Sequence, residues 1–227
     1  SAINTGLADF VLSPEDTVDE ILNFSSNPSI IKLHGKDEIF SDEEKQFHKN
    51  FLLDNGLRVI MENGYKHVTV DQLVQMIGAS KGYFYLLFPS KEDFFLDALA
   101  WQMEKNYKQL EEAVKKGFSS AQIAELYKEI FKNRMHFANH EDAAYVQQKI
   151  SDEQWNRFQE YQESFFLRTI KLLGRDTSQC DPKIVSNLSA IIFLLYNSRD
   201  KYLFAERIQE TTDILLHTFH AYIFGEA

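Results

Sequence analysis

Cysteine, proline, glycine and positive charge are all scarce in this chain, and each scarcity removes a class of protein. The single cysteine, Cys180, allows neither an internal disulfide nor a cysteine-built metal site, a usage that fits a reducing compartment. Only four prolines and nine glycines are present, and no alternating apolar–polar run is joined by an Asn-Gly or Asp-Gly turn, so nothing points to a β-rich fold. The longest apolar run, Ala190 to Tyr196, is far shorter than the roughly 20 residues that cross a bilayer. The chain also opens without the basic-then-apolar pattern of a signal peptide. A cytoplasmic location with no membrane partner is the expectation. No GxSxG elbow, phosphate-cradling glycine loop, HExxH pair or useful Cys/His spacing occurs, so neither an enzyme nor a cofactor is expected.

The net charge of −10 is unevenly spread. Residues 1–50 hold four Lys/Arg against ten Asp/Glu, residues 51–100 four against six, and residues 101–227 sixteen against eighteen. Attraction to a polyanion follows the local potential over the contacting face, not the total. A mildly acidic middle segment therefore predicts weak nonspecific binding to any polyanion.

What the chain does have is helix punctuation. Ser13-Pro14-Glu15-Asp16 opens a short helix carrying Val18, Ile21 and Leu22. Ser41-Asp42-Glu43-Glu44 is a capping box for a second helix, which carries Phe47, Leu52, Leu53, Leu57 and Ile60 inward and stops near Gly64. Thr69 caps a third, with Val70, Leu73, Val74 and Ile77 apolar and Gly78 as its stop. Ser90, with Asp93 three residues on, caps a long helix from Lys91 to about Lys116. Further helices are expected near residues 120–139, 142–150, 152–174, 182–204 and 206–224. At 227 residues with 44% hydrophobic content, this is an all-α protein able to bury a substantial core.

Between the Thr69 and Ser90 helices lies Ala79-Ser80-Lys81-Gly82-Tyr83-Phe84-Tyr85-Leu86-Leu87-Phe88-Pro89-Ser90-Lys91-Glu92, a short helix delivered by a glycine turn. Helix, turn, helix is a DNA-reading pattern. Phe84, Leu87 and Phe88 are spaced to pack backward, leaving Lys81, Tyr83 and Leu86 outward, and the Ser80 cap leaves amides that can meet phosphate. From about Leu52 to Leu99 the chain resembles the N-terminal domain of TetR/AcrR-family transcriptional regulators. The resemblance is carried by Gly64-Tyr65, Thr69-Val70, Gly78 to Gly82, Tyr85 and Phe88-Pro89-Ser90-Lys91-Glu92.

That resemblance implies a three-helix helix-turn-helix domain over 41–90 and a C-terminal effector-binding and dimerisation domain over 91–227, and it leaves residues 1–40 as an N-terminal extension unusual for the family. It implies phosphate contacts from Tyr85, Lys91 and Thr69, with Ser80, Lys81 and Tyr83 facing the groove. Two departures stand out. Leu86 and Leu87 replace side chains able to contact phosphate, and acids rather than arginines open the helix at Ser41. The acidic extension is expected to dock, either as a packing arm or as a competitor for Lys81 or Lys91.

The C-terminal half is rich in aromatic residues, and the resemblance implies a pocket for a small effector of apolar or aromatic character. Polar residues set among apolar ones nominate Arg134, Tyr161, Tyr196 and Asn197 as its contacts. His136 and His140 stand four apart beside Glu141, and His217 and His220 three apart, but no third ligand accompanies either pair, so no metal site is assigned. The last two helices are apolar nearly all round, at Ile184, Val185, Leu188, Ile191, Ile192, Leu194 and Leu195 and at Ile208, Leu215, Phe219, Tyr222 and Ile223. Such helices are central or shared with a partner. The resemblance favours a homodimer, a ligand-responsive repressor that sits on a pseudo-palindromic double-stranded DNA operator and is released by its effector. The rival expectation is a protein-interaction adaptor on the same fold with weak or no DNA binding.

Overall fold

The computed structural model describes residues 40–133, 140–196 and 203–225; for 132, 133, 140–144 and 196 it describes the backbone alone. The expected helix at Ser13 and the rest of the extension before Phe40 lie outside these residues. Among the described residues every regular element is helical: α1 (Asp42–Asn63), α2 (Val70–Gln75), α3 (Lys81–Leu87), α4 (Lys91–Lys115), α5 (Ser120–Asn133), α6 (His140–Lys149), α7 (Asp152–Leu172), α8 (Pro182–Tyr196), a 3-10 turn (Ala205–Arg207) and α9 (Ile208–Phe224).

The helix starts are locally encoded. Ser41, Thr69 and Ser151 each form a complete capping box, with Glu44, Gln72 and Gln154 returning a side-chain oxygen to the cap amide. Ser80 and Ser90 cap α3 and α4 by accepting from the backbone amides of Tyr83 and Asp93. The turn between α2 and α3 places Gly78 at φ 65°, in the left-handed region that favours glycine. The one marked boundary difference is at the end of α8. Residues 203 and 204 are not helical, so the expected helix does not run to Phe204.

α1 lies along α4, and α4 in turn packs on α7, so the long helix belongs to both halves of the molecule. Its N-terminal turns bury Phe94 and Phe95 under the small domain, and one apolar core runs on past Met103 into α7, α8 and α9. The α1–α4 contact is close because of Gly56: a Cβ there would stand 2.7 Å from Phe94 Cζ and 3.2 Å from Leu73 Cδ2. Asp54 on α1 ties the same pair by accepting from Trp101 Nε1 at 2.8 Å and Lys105 Nζ at 2.9 Å.

Phe47 corrects the expected core of α1. It is half exposed, and its neighbour His48 is buried instead. His48, Leu52, Gly56 and Ile60 recur every four residues, so one side of the helix takes the histidine inward and turns Phe47 out.

Candidate nucleic-acid interface

α3 is only seven residues long and is held by its back. Phe84 and Phe88 are fully buried, with ring centroids 5.6 and 4.9 Å from that of Phe94 on α4. Lys81, Gly82, Tyr85 and Leu86 form the opposite stripe and face solvent. These positions fall at i, i+1, i+4 and i+5, a single helical face.

Tyr83 is not on that face, which corrects the groove-facing expectation. Its side chain is 6% exposed, and its hydroxyl lies 3.0 Å from His48 Nδ1 on α1. The Phe40 ring packs 4.3 Å from it, between centroids. The reason is helix phase: Tyr83 and Leu87 flank Phe84 and Phe88 on the buried arc, and α1 supplies the polar partner that lets a tyrosine go inside. Burial pushes the Tyr83 hydroxyl up to about 12, helped by the nearby Glu44 charge. The same burial lowers the pKa of His48, against a smaller opposing pull from Glu44.

The remaining candidates divide into exposed and engaged groups. Tyr85 is 48% exposed and its ring meets Phe84 edge-on at 5.5 Å. Lys81 is exposed but pairs with Asp71 of α2 at 3.3 Å. Ser80 and Thr69 are exposed cap residues, and the Thr69 hydroxyl is held by Gln72, donating to Oε1 at 3.1 Å. Lys91, expected on phosphate, instead turns its ammonium onto the carbonyls of Tyr65 and Val68 and sits 4.0 Å from the Tyr65 ring centre. There it pins the chain between α1 and α2. Gly82 and the supporting His48 are the two residues that sequence reasoning passed over; the four-residue spacing within α1 was the available signal for His48.

The C-terminal helices grip this head at the start of α4. Gln154 Nε2 donates to Ser90 Oγ at 3.1 Å, and Arg157 Nη2 donates to Asp93 Oδ1 at 2.6 Å. Burial raises the Asp93 pKa, but hydrogen bonds from Ser90, Gln154 and Arg157 outweigh it and hold the carboxyl below its usual range. Tyr145 of α6 stands 6.3 Å from Tyr65, ring to ring, with Lys66 over its face. The N-terminal turns of α4 and α7 are therefore linked by direct side-chain bonds.

Of the nominated effector contacts, Arg134 and Asn197 lie outside the described residues, as does the side chain of Tyr196. Tyr161 faces α4, its hydroxyl 2.8 Å from Glu104 Oε1 and 3.0 Å from the Ala100 carbonyl. Burial and the Glu104 carboxylate raise its pKa. Arg168 also pairs with Glu104, so Tyr161 belongs to a bridge between α4 and α7. Elsewhere in this half, a cavity of about 20 Å³ is lined by Asn106, Tyr107, Phe131, Phe165, Thr169 and Ser189, among others. Asn106 Nδ2 is buried without a hydrogen-bond partner.

His136 lies outside the described residues, as does the side chain of His140. His220 Nε2 is 3.1 Å from the Ser120 carbonyl. Among the described residues no three His, Cys, Asp or Glu side chains are grouped to hold a metal, and no helix is long and apolar enough to cross a membrane.

Comparison with known proteins agrees with this geometry. Residues 52–98 match the family model described as bacterial regulatory proteins, tetR family. Over 91 residues the chain is 26% identical to YuxN of Bacillus subtilis (strain 168), an uncharacterized HTH-type transcriptional regulator. That alignment covers 38% of this chain and 31% of the relative, so the chain spans about a third of the curated relative it matches. No solved structure matches. The matched segment takes in the end of α1, the capped α2–turn–α3 unit and the first turns of α4, and over those residues the chain is similar to the TetR family.

Proposed function

We propose that this protein is a DNA-binding transcriptional repressor that acts as a homodimer on a pseudo-palindromic site and is released by a small effector. The observation that carries the DNA reading is the solvent-facing stripe of α3, Lys81, Gly82, Tyr85 and Leu86, presented by a helix whose back is locked to α4. In a helix-turn-helix protein that stripe enters the major groove and the flanking residues meet phosphate. Thr69, Ser80 and Tyr85 are the exposed polar groups beside it.

Dimerisation through the last two helices is supported by what α8 and α9 leave uncovered. Ile184, Asn187, Ile191 and Leu194 recur at heptad spacing and are exposed, as is Ile214 of α9, while Val185 and Ile192 fill the core. Two apolar faces on one helix suit a partner helix. The effector reading is supported by the aromatic cavity and the unpaired Asn106 Nδ2, a donor that asks for an acceptor. At about 20 Å³ the cavity has room for a water molecule, so α4 and α7 would have to part for a larger guest. Such parting would strain the Arg157–Asp93 and Gln154–Ser90 bonds and so shift the head, provided the effector prefers the parted state.

The adaptor reading draws on Lys91 and Lys81, whose charges are spent on carbonyls and on Asp71. Footprinting of genomic fragments at low salt, with Lys81→Ala and Tyr85→Ala beside wild type, separates the two. A regulator protects a palindrome and loses protection in both variants. An adaptor protects nothing.

A further inference from the structure

We propose that Leu86 reads thymine in the operator through the 5-methyl group of the base. The inference rests on α3 entering the major groove. Leu86 is 78% exposed, the most of any large apolar side chain among the described residues, on the same stripe as Lys81 and Tyr85. A leucine can neither donate nor accept a hydrogen bond, so in a groove it can only contact an apolar group. The thymine 5-methyl is the apolar group that unmodified DNA offers there.

Gly82, one turn before Leu86, supplies an independent argument. Its φ is not positive, and a Cβ at this site would meet nothing nearer than Ser80 Oγ at 3.8 Å. Among the described residues neither backbone conformation nor packing calls for glycine at this position, and glycine weakens a helix. Its effect is to flatten the helix beside Leu86, so that the backbone can come close to the groove floor while the leucine projects.

The test is a site selected by the full-length chain from random duplexes at low salt, in which each thymine is then replaced singly by deoxyuridine, removing only the methyl. At one thymine per half-site, the replacement should weaken wild type roughly fourfold, the equivalent of one buried methyl group. Leu86→Ala should melt like wild type and bind the thymine and uracil sites alike. Wild type indifferent to every replacement, or Leu86→Ala keeping the penalty, overturns the assignment while DNA binding stands. If no duplex is enriched, the DNA reading itself fails and the assignment with it.

Discussion

Replacing Tyr83 by phenylalanine tests the placement of the tyrosine on the buried side of α3. The ring stays, so its packing against Phe40 and His48 survives and no cavity opens. What goes is the hydroxyl 3.0 Å from His48 Nδ1, inside a contact where both side chains are more than nine-tenths buried. Losing a buried partner and leaving the histidine nitrogen unsatisfied costs about 1–3 kcal/mol. At about 2 kcal/mol, a chain of this length should lose about 4–8 °C in Tm. Tyr85→Phe is the control: that hydroxyl is on an exposed residue, and its removal should move stability by less than about 0.5 kcal/mol. Denaturation followed by tryptophan fluorescence, with operator affinity measured below the transition, gives both quantities. Tyr83→Phe should be less stable yet bind DNA like wild type, and Tyr85→Phe the reverse. A Tyr83→Phe protein as stable as wild type but weakened on DNA would refute the buried placement.

Gly56→Ala should destabilise the fold by about 1–3 kcal/mol, because the Phe94 ring it would strike at 2.7 Å is itself fully buried; an unchanged urea midpoint would contradict that packing. His48 stays neutral in the fold below the pH near 6.5 at which the unfolded chain takes up a proton, so stability present above about pH 6.5 should be lost as pH falls toward the lower folded value. Urea titrations from pH 7.5 to 5.5 should therefore show a steeper decline for wild type than for His48→Asn, and parallel declines would count against it. For the proposed dimer, Ile191→Asp and Leu194→Asp together should convert a sedimenting dimer to a monomer with unchanged helix content. A dimer that persists would place the interface elsewhere.

Much of this architecture is written in short-range chemistry. Ser41 with Glu44, Thr69 with Gln72, Ser90 with Asp93 and Ser151 with Gln154 mark helix starts within four residues of chain. Gly64, Gly78, Gly117 and Gly174 mark stops, each at positive φ. A cap or a glycine stop acts on its own neighbours, so these boundaries, the all-α class and the helix-turn-helix order were legible without any tertiary contact.

The faces of α3 were legible only in part: Phe84 and Phe88 are buried and Lys81 and Leu86 exposed as their spacing predicts, whereas Tyr83 is buried rather than outward. From Tyr83 to Phe88 every residue is apolar or aromatic, and Lys81 at the first position is the helix's one charged residue, so periodicity does not tell whether Tyr83 faces in or out. His48 and Phe40 decide it from outside the motif, drawing Tyr83 inward and leaving Tyr85 and Leu86 in solvent. Lys91 follows the same logic, since two carbonyls and a tyrosine ring more than twenty residues earlier in the chain capture its charge. Sequence alone determined where most of the helices begin, where several of them end and that a helix-turn-helix unit lies among them. Only tertiary structure decided which side chains that unit presents, because a side chain's direction is set by its partners across space.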